Sequence, residues 1–182
     1  MSGEPIQKVR EAMRFALENL NQGDTFQIIR FSNHAEKLAS KPLLVTPANI
    51  EEGLRYVSTL EGNGGTIMRA GVEAAVISPR DPDRLRIIAF MTDGYIGNER
   101  EILSYLKKNL GEARLFSFGV GSSVNRYLLD KMAEIGRGAV EYVLPRDAGA
   151  VSVARFYDRI RNPYLTDIRI DWGGLPVLDV YP

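Results

Sequence analysis

Two oxygen-bearing side chains, Thr66 and Asp93, stand where the sequence places candidate chemistry. Asp93 closes the run Leu85-Arg86-Ile87-Ile88-Ala89-Phe90-Met91-Thr92, with Gly94 following. So short and apolar a run reads as a strand buried on both faces, as in a parallel sheet covered by helices. Ligands of open α/β sheets collect outside the carboxyl ends of such strands. Thr66 follows the loop Gly62-Asn63-Gly64-Gly65 and leads into a helix of small residues, Ala70, Gly71, Ala74 and Ala75. A hydroxyl and a carboxylate form a hard-oxygen pair suited to Mg²⁺ or Mn²⁺, which take about six oxygens. Two donors are too few for tight binding. Taken singly, Thr66 is explained by helix capping and Asp93-Gly94 by a turn. Their placement on one sheet rim carries the ligand reading.

Other candidates are weaker. No lysine follows the glycines at 62, 64 and 65, as a P-loop requires, and no strand precedes a dinucleotide fingerprint there. Gly119-Val120-Gly121 reads as a strand exit. The single histidine, His34, has no Ser or Cys partner in sight. Lys plus Arg equals Asp plus Glu at 23 each, so no global field draws nucleic acid or an anionic membrane. Cysteine is absent, which removes disulfides and thiolate metal sites. No run reaches the ~20 apolar residues of a membrane span.

The surrounding elements alternate. Pro5 starts a helix whose inner positions are Ile6, Val9, Met13, Ala16 and Leu20. Phe26, Ile28, Ile29 and Phe31 form a second buried strand, and an edge strand lies between His34 and Val45. Thr46 caps a helix opened by Pro47, with Ile50, Leu54 and Val57 inside. After Asp93, Asn98 and Glu101 form a capping box, and Ile102, Leu103, Leu106 and Leu110 face inward. Arg114 to Gly121 is a buried strand. Asn125 caps a helix carrying Leu128, Leu129, Met132 and Ile135, and Val140 to Leu144 is a short strand. Val153, Tyr157 and Ile160 mark a last helix. Ile168, Ile170 and Trp172 alternate with charge, the pattern of a half-buried strand opening a further domain. The reading is an α/β fold with a doubly wound, mostly parallel sheet and helices on both faces. Residues 1–162 form the domain and 163–182 a strand or linker leading onward.

At these residues the sequence resembles the von Willebrand factor type A family, and within it bacterial proteins related to inter-alpha-trypsin inhibitor heavy chains, which place such a domain after a VIT domain. The carriers are Met1 to Ile6, Gly64-Gly65-Thr66, Met91-Thr92-Asp93-Gly94 with Gly97-Asn98-Glu99, Phe118-Gly119-Val120-Gly121, Asn125, Gly136-Arg137-Gly138 and Asn162 to Ile168. The resemblance implies a metal-ion-dependent adhesion site for one divalent cation. Its Thr corresponds to Thr66 and its Asp to Asp93, while the Asp-x-Ser-x-Ser loop has no counterpart here. In relatives that loop, with the first central strand, lies just before a segment like Met1-Ser2-Gly3. The cation should therefore bind this chain weakly or not at all. Two buried strands, ending at Phe31 and Asp93, should face an unfilled position. Direct pairing of the two, or a strand donated by another chain as in a strand-swapped homo-oligomer, would close it; Leu165 to Trp172 is one candidate donor.

The functional expectation is a non-enzymatic protein-binding module. The resemblance implies a partner that offers an acidic side chain to the metal, with Tyr95, Ile96 and Asn98 on the rim. It also implies an extracytoplasmic parent protein, though no residue here shows this. The rival readings are a Mg²⁺-dependent phosphate-handling domain built on Asp93 and a nucleotide binder built on Gly62 to Thr66.

Overall fold

The computed structural model describes residues 3–62, 67–79, 81–94, 97–144, 154, 158 and 170–178. From residue 68 to residue 143 helices and strands alternate, and the fold is α/β. Helix α1 (Glu4–Glu18) carries Pro5 in its first turn and buries Val9, Ala12 and Leu17. Helix α2 (Pro47–Ser58) starts as expected. Thr46 Oγ1 accepts from the Asn49 amide at 3.2 Å, and Pro47 occupies a position whose N–H has no helical partner.

The run from Phe26 to Phe31 divides into β1 (Thr25–Phe26) and β2 (Ile29–Phe31). Gln27 divides it. Its side-chain amide donates to the Ala39 carbonyl at 2.7 Å and accepts from the Ile28 and Ala39 amides at 3.1 and 3.3 Å, replacing a regular ladder locally. Between Ala35 and Leu44 the chain makes two short strands, β3 (Ala35–Lys37) and β4 (Leu43–Leu44), where one edge strand was expected. β2 pairs antiparallel with β3, and β1 with β4.

Helix α3 (Met68–Val76) packs closely because its residues are small. A Cβ at Gly71 would lie 2.6 Å from the Phe31 ring. The central run forms β5 (Ile87–Thr92). It pairs parallel with β6 (Arg114–Val120), which pairs parallel with β7 (Val140–Val143). Helices α4 (Glu99–Asn109) and α5 (Arg126–Ile135) bury Ile102 and Leu106, and Leu128, Leu129 and Met132.

Three expectations are corrected. β5 is not buried on both faces: Ile88, Phe90 and Thr92 are covered, whereas Ile87 and Ala89 are exposed. β2 and β5 do not pair directly, so the sheet is split at the place where the absent strand was expected. Of the strand expected over Leu165 to Trp172, residues 165–169 lie outside those described; Ile170 to Trp172 form no strand, and Ile170 and Trp172 are exposed at 53% and 41%. A strand needs a partner edge to hold it, and none lies beside these residues among those described.

The core follows the split. One buried cluster joins α3, β5, β6, α4 and α5 around Val72, Phe90, Leu106 and Leu128. A second joins α1, β1 and α2 around Leu17, Phe26 and Val57. Val9, Val120 and Val143 make a third, smaller one. A domain of this size ordinarily has one contiguous core. A cavity of about 1100 Å³ separates the groups, lined by α1, α3, β2 and β5.

Candidate functional site

Asp93 is the first residue past β5, half-buried and bordering the cavity. The turn there is local: Thr92 is buried, and its Oγ1 accepts from the Gly94 amide at 3.1 Å, bending the chain out of the strand. β6 leaves the sheet at the same rim through Gly121, whose φ of +110° suits only glycine well. A Cβ at Gly121 would lie 3.9 Å from Pro5 Cγ, so α1 begins beside this exit. The helices following β5 and β6 also begin at this rim. The starts of α1, α4 and α5 thus gather around one edge, each with the positive end of its peptide dipoles.

Thr66, Tyr95 and Ile96 lie outside the described residues. The neighbour of Thr66 is anchored: the Ile67 amide donates to the Ser32 carbonyl at 2.8 Å, next to the end of β2. Phe31 at that end stacks on Phe90 of β5, with ring centroids 5.1 Å apart. Asn98 is the exposed N-cap of α4, but its side chain caps no backbone amide. Instead its Nδ2 meets Glu101 Oε2 at 3.4 Å. The expected capping box is therefore not closed.

Two connections were not read from the sequence. Asn125 is buried, and each end of its amide has a task. Oδ1 accepts from the Leu128 amide at 3.1 Å, capping α5, and Nδ2 donates to Glu99 Oε1 at 2.8 Å. The second bond ties the start of α5 to the start of α4, and so to the loop that leaves Asp93. Helix spacing reveals the cap, but nothing local reveals a partner 26 residues away. Arg69, near the start of α3, pairs with Glu73 of its own helix at 2.6 Å and with Glu101 of α4. Both are partly exposed and contribute modestly.

A cation would need several more oxygens than Asp93 supplies. Among the described residues, no group of three or more His, Cys, Asp or Glu side chains could hold a metal ion. These residues alone do not fit a divalent cation. His34 is exposed and held by Glu36 at 2.7 Å on the β2–β3 ribbon. The adjacent His34 and Arg30 together hold the Glu36 carboxyl below its usual range.

Comparisons with known proteins agree with this architecture. The profile of the von Willebrand factor type A domain matches residues 1–142. A von Willebrand factor A domain-containing protein of Dictyostelium discoideum is 26% identical over 96% of this chain and 19% of its own length. The inter-alpha-trypsin inhibitor heavy chain H3 of Mesocricetus auratus is 25% identical over 99% of this chain and 22% of its own length. The chain thus spans about a fifth of these relatives. Among solved structures, a von Willebrand factor type A protein from Catenulispora acidiphila superposes with a TM-score of 0.74 at 18% identity, covering 86% of this chain and 37% of that one. Proximal thread matrix protein 1 from the mussel byssus, described with a zinc-occupied MIDAS motif, gives 0.63 at 16% identity, covering 81% and 40%.

Proposed function

This chain belongs to the von Willebrand factor type A family, and from that premise we propose that it is a non-enzymatic protein-interaction module. Its partner-facing surface is the rim where β5 and β6 end. The observation that carries this reading is the position of Asp93 at the exit of β5, among the starts of three helices. In this reading Asp93 and Thr66 supply two of the oxygen donors of a cation site. When complete, the site holds Mg²⁺ or Mn²⁺ and leaves a position for an acidic side chain of a protein partner. The mussel byssus protein described with a zinc-occupied MIDAS motif supports a divalent cation as the ligand. Tyr95, Ile96 and Asn98 border the contact. The single histidine, surface-bound to Glu36, is poorly placed for acid–base catalysis, and this supports the non-enzymatic reading. Two copies exchanging a strand across the split sheet would be a homo-oligomeric form of the same module.

Calorimetric titration of Mg²⁺ and Mn²⁺ into the chain, and into Asp93→Ala, tests the partial site. Both titrations should show only heats of dilution. A saturable signal that Asp93→Ala abolishes would overturn the incomplete-site reading. Turnover of a phosphate ester that requires both Mg²⁺ and Asp93 would overturn the interaction-module reading in favour of a phosphate-handling enzyme.

A further inference from the structure

We propose that the groove between α3 and α4 is a second docking site on this domain, shaped for an acidic, extended segment of the protein partner. The inference rests on the reading of the chain as an interaction module and names what the partner carries beyond the rim. The groove holds about 390 Å³, within the ~300–1,000 Å³ of ordinary ligand pockets, and is lined by Arg69, Glu101, Ser104, Tyr105, Lys108 and Asn109. The last five belong to α4 and recur at spacings of three and four, which puts them on one side of the helix. Arg69 reaches across from α3 and pairs with Glu101 in the first turn of α4, fixing the end of the groove nearer the rim. Tyr105 packs against the main core and gives the groove an apolar floor. The Asn109 side-chain amide is held by the Tyr105 carbonyl at 2.8 Å.

Charge selects the occupant. Arg69 is already shared between Glu73 and Glu101. Lys108, at the far end of the groove, has no ion pair or hydrogen bond among the described residues, and neither do the hydroxyls of Ser104 and Tyr105. Lys107 does not line the groove, and its charge reaches Glu134 of α5 instead. Successive residues of a helix stand about 100° apart, so the two lysines serve different sides of α4. An uncompensated ammonium beside free hydroxyls, over an apolar floor, suits a carboxylate flanked by peptide groups. Lys108 would take the charge, while Ser104, Tyr105 and Asn109 would bond the backbone on either side of it. One free cation is too few for nucleic acid or an anionic membrane, which are held by many. Lys108 lies nine residues after Glu99, the first of α4, or roughly 13 Å at ~1.5 Å per residue. An extended chain covers that length in about four residues. A partner with one acidic side chain at the rim would thus carry a second about four residues along.

The test titrates the capped peptide Glu-Ala-Ala-Ala-Glu into the 182-residue chain and follows backbone amide shifts by NMR. Shifts at Ser104, Tyr105, Lys108 and Asn109 should move together and saturate with a Kd of about 1 mM, as an exposed ion pair contributes modestly. The same peptide with Gln for Glu should move none of them. Lys108→Glu should weaken binding about tenfold or more, and Lys107→Glu less than about threefold. Both lysines are exposed, so neither substitution should unfold the chain, and circular dichroism checks this. Asp93→Ala should leave the groove shifts as they are, which separates this proposal from the rim reading. Shifts confined to the rim and lost in Asp93→Ala would keep the rim and overturn the groove. No saturable change at about 10 mM peptide would overturn it as well. So would an equal loss from Lys107→Glu, since the attraction would then be diffuse charge.

Discussion

Replacing Asn125 separates two roles that the structure gives one side chain. Asn125→Ala removes the α5 cap, worth about 1 kcal/mol. It also removes the bond to the Glu99 carboxylate, worth about 1.5 kcal/mol for a hydrogen bond to a charged group. The expected loss is about 2.5 kcal/mol, or roughly 5–10 °C in Tm for a chain of this size. Asn125→Asp keeps an oxygen at the cap but sets a carboxylate against Glu99, 2.8 Å from the present amide nitrogen. Even if the two groups relax to ~5 Å, repulsion at an effective dielectric of ~20 costs about 3 kcal/mol. That variant should be at least as damaged as Asn125→Ala at pH 7 and recover towards pH 4, as one carboxylate takes up a proton. Adding Glu99→Gln should rescue Asn125→Asp at pH 7 but not Asn125→Ala. Thermal melts by circular dichroism at pH 7 and pH 4 on the four variants decide the matter. An Asn125→Asp protein as stable as the parent at pH 7 would refute the coupling between α4 and α5.

Two further outcomes follow from close packing and from titration. An alanine methyl at Gly138 would lie 2.1 Å from the Leu115 carbonyl oxygen, whereas one at Gly97 meets nothing within 4 Å. Gly138→Ala should lower stability by about 3 kcal/mol or more in urea titration and Gly97→Ala by under ~0.5 kcal/mol; equal midpoints would contradict the close approach of α5's exit to β6. The Tyr142 hydroxyl donates to Asp130 at 2.8 Å, and burial together with that bond pushes it up to about 12 from its ordinary 10. Because the folded state holds this proton more tightly, the contribution to stability is whole below pH 10 and fades as pH rises towards 12. Tyr142→Phe should therefore lose less Tm than the parent between pH 10 and pH 12, and parallel alkaline curves for the two proteins would count against the reading.

Much of this protein follows from its sequence. The Thr46 and Asn125 caps, the inward faces of α4 and α5 and the strands of β5, β6 and β7 depend on periodicity and on side-chain oxygens near their own backbone. Those effects act within a turn or two of chain, so a linear reading captures them. The position of Asp93 follows the same logic, since a strand's end is marked locally. What depends on distant neighbours was decided only by the tertiary structure. Gln27 divides a strand because Ala39 comes alongside it. Asn98 bonds the Glu101 side chain without closing a capping box. Asn125 reaches Glu99 only once two helix starts meet at one rim. Ile87 and Ala89 are as apolar as any core residue, yet they are exposed, while Ile88 and Phe90 on the opposite face of the same strand are buried. Hydrophobicity states what a residue prefers to bury, but burial itself needs a neighbour, and only the assembled fold determines whether one is there.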